Sequence, residues 1–227
     1  MSRKIDINNL LSTFENTDQP IGATYLSSIM NIPQTSIGRL LLQLEQDGYL
    51  EKVGKKGRII TSKGKAYLKE QKILSIKNDE ATKLFDIVEN TSKPRLLEIL
   101  KIRRVLELEA IEECCYSATN DQLLELHNIA MQYEKAISSG QTGNAEDLNF
   151  HLTIAKISGN NVLYQLLKIL LINNNGYVNL AKNPTHDTNS FWVDHTKIVQ
   201  AIQSRDKVLA KETMLKHINS IIEHIDD

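Results

Sequence analysis

Glycine and proline interrupt regular secondary structure, and this chain uses them unevenly. Only 10 Gly and 4 Pro occur in 227 residues, and eight of these fourteen lie in the segment from Pro20 to Gly64. From about residue 95 onward, apolar residues instead recur at spacings of three and four, as in Leu123, Leu126, Ile129 and Ala130. This periodicity predicts amphipathic helices over 95–117, 121–139, 144–157, 160–181, 188–204 and 206–225. The chain is therefore expected to be mainly α, with a punctuated N-terminal part and an all-helical bundle after it.

The distribution of charge also separates an N-terminal part from the rest of the chain. The formal net charge is −1, but residues 1–77 carry 12 Lys and Arg against 7 Asp and Glu, a net charge of +5, which leaves −6 for the remainder. A basic segment joined to an acidic one indicates that the first part meets a polyanion and the second meets something else. We predict a domain over 1–77, a linker helix over 78–94 and a second domain over 95–227.

Composition narrows the class of protein. With 41% hydrophobic and 24% charged residues, the chain can bury a core, and no apolar run reaches the roughly 18–20 residues of a membrane span. The two cysteines, Cys114 and Cys115, are adjacent and cannot connect distant segments. We expect a cytoplasmic protein without a membrane partner, with both cysteines packed on a helix.

The N-terminal third has the pattern of a winged helix-turn-helix. Short helices are predicted over Thr24–Met30 and Gln34–Asp47, separated by a turn that ends in Pro33. Strand-like runs follow at Tyr49–Val53 and Arg58–Thr61, with a glycine-lysine turn between them, and the next helix begins with Ser62 as its expected cap. The strand pair is the predicted wing.

Two groups of side chains in this domain have chemistry suited to DNA. The second helix would expose amide, hydroxyl and guanidinium groups toward base edges, from Gln34, Thr35, Ser36, Arg39 and Gln43. The wing would neutralise phosphates with Lys52, Lys55, Lys56 and Arg58. We predict binding to a double-stranded DNA operator; the alternatives are a winged domain that contacts proteins, or a small α+β unit with solvated basic edges.

Three of the six histidines lie on apolar stripes of three different predicted helices. His151, His195 and His217 each share a helical register with aliphatic residues, and Asp147 precedes His151 by four residues, on the same helical face. Three imidazoles and one carboxylate would suit a divalent ion, zinc first, with nickel or manganese as alternatives. The competing interpretation is three hydrogen-bonded core histidines. His127, His186 and His224 have no such grouping and are expected on the surface or in loops.

The segment from Asp147 to Asn160 resembles the core signature of the FCD ligand-binding domain, which defines the FadR subfamily of GntR transcription regulators. Asp194–Val199 and Met214–His217 resemble later segments of that domain, and the helix 102–118 resembles its opening helix. The winged domain is divergent, since Pro33–Arg39 replaces the usual Ser-Arg and Val-Arg pairs. The resemblance implies a helical bundle that holds a divalent metal, binds a small carboxylate effector and forms a homodimer.

One arginine of the opening helix is expected to receive the effector. Periodicity alone aligns Arg103 and Arg104 equally well with apolar neighbours, and only the family resemblance favours Arg103. A guanidinium would hold one carboxylate oxygen while the ion takes the other.

These features together predict a transcription regulator whose operator affinity responds to a small carboxylate bound at the metal site. A metalloregulator that senses the ion itself is the alternative. A metal-dependent enzyme is a weaker alternative, because no general base or nucleophile accompanies the predicted ligands and an enzyme has little use for a winged domain.

Overall fold

The computed structural model describes residues 6–171 and 195–226. The chain divides into two compact units, Met1–Thr82 and Lys83–Asp227. The first is a winged helix-turn-helix and the second a bundle of helices, which confirms the predicted fold class. Within the described ranges, none of the helices is both long and apolar enough to cross a bilayer.

The first unit contains three short helices, a two-stranded sheet and the start of a long helix. The bounds of the two predicted helices and two predicted strands agree with the structure to within one residue, and the next helix begins at Ser62 as predicted. The first helix, α1, was not predicted. The bounds are α1 Ile7–Ser12, α2 Ala23–Met30, α3 Gln34–Gln46, β1 Leu50–Val53, β2 Gly57–Ile60 and α4 Ser62–Glu89.

Special backbone conformations and caps separate these elements. Asn31, in the turn between α2 and α3, has a left-handed φ of 53°, which asparagine tolerates better than most residues. At the start of α4, the hydroxyl of Thr61 accepts a hydrogen bond from the Gly64 amide at 3.1 Å. Thr61 is therefore the cap that was expected of Ser62, which lies one residue too far along to reach that amide.

The wing is an antiparallel pair with a third, single-residue partner. Strands β1 and β2 pair in the register Leu50↔Ile60 to Val53↔Gly57, and Ile21 bridges to Arg58 through two backbone hydrogen bonds of 2.8 and 3.0 Å. Gly57 permits this close approach, because a Cβ there would lie 2.5 Å from the Ile21 carbonyl and its φ is +134°.

One apolar core holds the first unit together. Helix α3 turns four apolar residues toward this core: Ile37, Leu41 and Leu44 are buried, and Leu40 is half-buried. Helix α1 adds two fully buried leucines, so it belongs to the fold rather than to a frayed terminus. The core comprises Leu10, Leu11, Phe14, Ile21, Leu26, Ile37, Leu41, Leu44, Leu50, Ile60 and Leu68.

Helix α4 runs without a break from Ser62 to Glu89 and so includes most of the linker helix predicted over 78–94. Neither glycine nor proline occurs between Gly64 and Pro94, so nothing ends the helix that starts at Ser62 until Glu89. Pro94 instead lies in the first turn of the next helix, where its missing amide costs no hydrogen bond.

The second unit is built from long helices packed around one core. The parts of the predicted helices 160–181 and 188–204 that fall at 172–194 lie outside the described residues. The remaining helix bounds agree with the prediction to within about two residues. They are α5 Lys93–Ser117, α6 Asn120–Ser138, α7 Asn144–Ile157, α8 Asn161–Leu171, α9 His195–Gln203 and α10 Lys207–Asp226.

Helices α5, α6, α7 and α9 contribute most of that core, and both cysteines are buried on α5 as expected. Helix α5 packs along α10 and against α7, while α9 packs against α6 and α10. These pairings bring one face of α7 together with the start of α9 and the middle of α10. The polar residues predicted as metal ligands are on those faces.

Candidate metal centre

Four polar side chains meet inside the second unit, as ligands of one ion must. Asp147 and His151 come from successive turns of α7, His195 from the first residue of α9, and His217 from the middle of α10. One ligand atom from each lies within 4.8 Å of all the others. The i,i+4 spacing on α7 therefore brings two candidate ligands to one face, and packing of α9 and α10 against that region supplies the other two.

The Nε2 atoms of the three imidazoles point to the same place. The Oδ1 oxygen of Asp147 lies 3.4 Å from Nε2 of His151 and 3.4 Å from Nε2 of His195. The Nε2 atoms of His151 and His217 are 3.2 Å apart. The resulting donor set is three nitrogens and one carboxylate oxygen around a common centre.

The histidines are buried where an unpartnered polar atom is costly. His151, His195 and His217 are 1%, 0% and 4% exposed. Within residues 6–171 and 195–226, three ring nitrogens have no hydrogen-bond partner: Nδ1 and Nε2 of His195, and Nδ1 of His217. Burying such groups without a partner costs on the order of 1–3 kcal/mol each. Of these atoms, Nε2 of His195 faces the centre, where a divalent ion would bind it together with the Nε2 atoms of His151 and His217. The residues therefore fit a metal better than they fit a set of satisfied core histidines.

Electrostatics favour the protonation states that a cation requires. Burial raises the pKa of the Asp147 carboxyl, but His151, His195 and Arg103 outweigh it and hold the pKa well below its usual range. Burial lowers the pKa of His217 well below that of a free imidazole, and the neighbouring His195 and His151 lower it further. Burial also lowers the pKa of His195. The centre thus contains a carboxylate and two neutral imidazoles, the forms that coordinate metals.

His151 differs from the other two histidines. Burial lowers the pKa of its imidazole, yet the negative charge of Glu107 and of Asp147 more than compensates, so the pKa is raised. Nδ1 of His151 contacts the Glu107 carboxylate, while Nε2 faces the centre. Metal binding at Nε2 would therefore compete with a proton.

Aromatic rings enclose His195. The Phe150 ring stacks on the His195 imidazole, with centroids 4.2 Å apart and planes 19° from parallel. Tyr133 of α6 lies on it at a centroid distance of 4.4 Å. These contacts fix the plane of the His195 ring, which is fully buried.

Arg103 lies beside this centre and Arg104 does not. The Arg103 side chain is fully buried, its Nε donates to Glu107, and one of its terminal nitrogens lies 3.9 Å from Oδ2 of Asp147. Arg104 instead donates to Asn219 at 2.9 Å. The two arginines that periodicity could not separate therefore occupy different environments.

Sequence reasoning missed Glu107 as a member of the site. This carboxyl is 1% exposed and joins Arg103 on its own helix to His151 on α7. The sequence does contain a signal for it, because Glu107 follows Arg103 by four residues on the same stripe as Ala110 and Cys114. A charged pair at i,i+4 on a buried stripe is too costly to occur without a polar partner across the interface.

The other histidines stay apart from the cluster. His127 on α6 and His224 on α10 are half-buried and belong to no group of candidate ligands among the described residues. His186 lies outside those residues.

In the first unit, the five residues predicted to read bases are all exposed on α3: Gln34, Thr35, Ser36, Arg39 and Gln43. Gln34 also donates to the hydroxyl of Thr24 at 3.0 Å, which links the first turn of α3 to the first turn of α2. The N-terminal half of α3 thus presents polar groups to solvent.

The cationic wing residues divide into two kinds. Lys52, Lys55 and Lys56 are exposed. Arg58 instead forms an ion pair with Glu45 of α3, with both Nε and a terminal nitrogen 2.8 Å from the same carboxylate oxygen. The guanidinium expected on a phosphate is therefore engaged in joining the wing to the helix.

Comparison with known proteins places the chain in a family. Residues 98–220, more than half of its length, match the FCD domain. The "Uxu operon regulator" of Haemophilus influenzae is 24% identical over 86% of this chain and 83% of its own length. The "Uncharacterized HTH-type transcriptional regulator YdhC" of Bacillus subtilis is 26% identical over 93% of this chain and 85% of its own.

A solved structure agrees on the fold. The structure of E. coli McbR/YncC has a TM-score of 0.53 and 16% identity, and the match covers 96% of this chain and 92% of that one. The family resemblance seen in the sequence is confirmed, and the enzyme alternative falls away because these relatives are regulators. The chain belongs to the FCD domain family and is a GntR-type transcription regulator.

Proposed function

We propose that this regulator binds a double-stranded DNA operator through its winged unit and that a small carboxylate, bound at a divalent ion in the helical unit, controls this binding. The observation that carries the proposal is the convergence of three buried Nε2 atoms and one carboxylate oxygen within 4.8 Å. Zinc is the first choice of ion, with nickel or manganese as alternatives, because imidazole and carboxylate ligands suit all three.

The charge of the buried centre supports an anionic effector. Asp147 and Glu107 carry two negative charges and Arg103 one positive charge, so a divalent ion with neutral imidazoles brings the total to +1. An uncompensated charge in a buried site is unfavourable. A monocarboxylate would neutralise it, with one oxygen on the ion and the other near the Arg103 guanidinium.

On the DNA side, the exposed polar groups of α3 would meet base edges in the major groove, and the exposed wing lysines would meet phosphates. A homodimer would present two such units to half-sites about one helical turn apart, or a multiple of it. Two relatives, from Haemophilus influenzae and E. coli, are named as regulators of the Uxu operon, which supports control of an operon as the role of this chain. Such a role belongs in the cytoplasm.

The test is a fluorescence-anisotropy titration of operator DNA with protein stripped of metal, protein reloaded with zinc, and zinc-loaded protein in the presence of a panel of small carboxylates. We expect a carboxylate to change the DNA affinity of the zinc-loaded protein and not of the stripped protein. His195→Ala should abolish this response, while His127→Ala, outside the cluster, should keep it.

The same titration separates the alternative functions. A metalloregulator would change its DNA affinity on zinc addition alone, with no further effect of any carboxylate. Equal affinities under all conditions would refute control through this site.

A further inference from the structure

Two neighbouring helices, α5 and α7, pack together beside the candidate metal centre and contribute one i,i+4 pair each. Helix α5 supplies Arg103 and Glu107, and α7 supplies Asp147 and His151. The pairs meet in register, since Glu107 contacts Nδ1 of His151 while Arg103 lies 3.9 Å from Asp147. The two α7 residues are candidate ligands, and each is approached from behind by a charged residue of α5.

Glu107 uses its two oxygens on different partners. Oε1 accepts from Nε of Arg103, and Oε2 contacts Nδ1 of His151. Both contacts are inside the protein, with Glu107 and His151 each 1% exposed and Arg103 fully buried. Water therefore cannot take over either partner.

We propose that Glu107 is a positioning residue for the metal centre: it holds His151 in the tautomer that presents an unprotonated Nε2 to the ion, and it aims the Arg103 guanidinium at the same centre. This inference rests on the proposed metal site and adds a residue, and a role, outside the set of ligands.

The chemistry of the groups dictates the tautomer. A carboxylate only accepts hydrogen bonds, so the ring nitrogen that faces Glu107 carries the proton. A neutral imidazole has one N–H, and its other nitrogen then holds a free lone pair. In His151 that nitrogen is Nε2, which lies 3.4 Å from Asp147 and 3.2 Å from Nε2 of His217. Carboxylates that hold metal-binding histidines in this way also make the imidazole a stronger ligand.

Glutamine at position 107 cannot serve both partners. If the amide oxygen faces His151, the amide N–H₂ faces Nε–H of Arg103, and two donors oppose each other. If the amide turns over, its N–H₂ faces Nδ1 of His151 and favours the tautomer with a proton on Nε2, which blocks coordination. Either arrangement weakens the centre, although glutamine has nearly the same volume as glutamate.

The same helix offers a matched control. Glu112 also forms ion pairs, with Lys207 at 3.0 Å and Lys211 at 2.5 Å, but on the surface of the bundle and away from the cluster. Glu112→Gln removes the same charge from α5 as Glu107→Gln. A general effect of charge or helix stability would appear in both variants.

The experiment measures zinc affinity by competition with a chromophoric chelator, for the full-length wild type, Glu107→Gln and Glu112→Gln. We expect Glu107→Gln to lose roughly 10- to 100-fold in affinity and Glu112→Gln to match the wild type. Far-UV circular dichroism checks that each variant is folded.

A second measurement needs no variant. In zinc-loaded wild type, ¹⁵N chemical shifts and long-range ¹H–¹⁵N couplings of the histidine rings identify which nitrogen of His151 is protonated. We expect the proton on Nδ1 and zinc on Nε2. Zinc on Nδ1 overturns the inference even if Glu107→Gln does not fold.

The outcomes distinguish this inference from the proposed function. Equal zinc affinity in wild type and Glu107→Gln overturns the role of Glu107 and leaves the metal site intact. An equal loss in Glu107→Gln and Glu112→Gln also overturns it, because the effect would then be one of charge. Wild-type protein that binds no zinc refutes the proposed metal site, and this inference with it.

Discussion

The exposed lysines of the wing and the ion-paired Arg58 should contribute differently to the salt dependence of DNA binding. Lys55 and Lys56 are exposed at the turn of the wing, whereas Arg58 is engaged with Glu45. Each phosphate contact contributes about 0.9 to the slope of log affinity against log salt. Replacing both lysines by alanine should therefore flatten that slope by about 1.8 for each winged unit bound. Over a fourfold rise in salt, from about 50 to 200 mM, the double variant should lose about twelvefold less affinity than the wild type.

The assay is a set of anisotropy titrations at several salt concentrations with one operator fragment. Arg58→Ala is the internal comparison, because a guanidinium held by Glu45 should contribute little to the slope, and its loss should instead lower the stability of the winged unit by up to about 1 kcal/mol. The reasoning is refuted if Arg58→Ala flattens the slope as much as the lysine pair does, or if the lysine pair leaves the slope unchanged.

Four other perturbations test the two units separately. Arg39→Ala should weaken binding to the operator by about 1–3 kcal/mol while changing the affinity for random DNA much less, as measured by competition titration. Free zinc at about 100 times its Kd should stabilise the wild type by roughly 2.7 kcal/mol, or about 5–11 °C in a thermal melt, and should not shift His217→Ala. Burial raises the pKa of the Cys114 thiol to about 12, so a chromogenic thiol reagent at pH 8 should react with it only after urea is added. Burial lowers the pKa of His217 well below 6.5, so below that pH the unfolded state binds more protons than the folded state does. With chelator present, the free energy of unfolding should therefore decrease as the pH falls from 7.5 to 5.5. Urea unfolding midpoints should show a smaller decrease for His217→Gln than for the wild type.

Most of the fold could be predicted because its signals are local. Glycine and proline positions separate the elements of the winged unit, and the 3.6-residue period of apolar side chains reveals the bundle helices to within about two residues. Helix α1 was missed because its six residues, INNLLS, are too few to show a period. Its identity depends on Leu10 and Leu11 entering the core, which is a tertiary contact that the local pattern does not contain.

The site was predictable in part for the same reason. A histidine on an apolar stripe is anomalous within its own helix, so local sequence is enough to single out His151, His195 and His217. The Arg58–Glu45 pair could not be foreseen, because it joins residues thirteen positions apart on a strand and a helix. Glu107 is an intermediate case, since its spacing from Arg103 is local but its contact with His151 crosses between helices.

The energy needed for control of DNA binding sets the final constraint on the proposed mechanism. An effector that changes operator affinity 100-fold must bind one state of the protein about 2.7 kcal/mol more tightly than the other. A charge-assisted hydrogen bond is worth about 1.5–3 kcal/mol, so one Arg103–carboxylate contact present in only one state supplies most of that difference. The contact can differ between states only if α5, which carries Arg103, and the helices that carry the ligands, α7, α9 and α10, shift relative to each other. The allosteric movement should therefore be sought in the packing of α5 against α7 and α10.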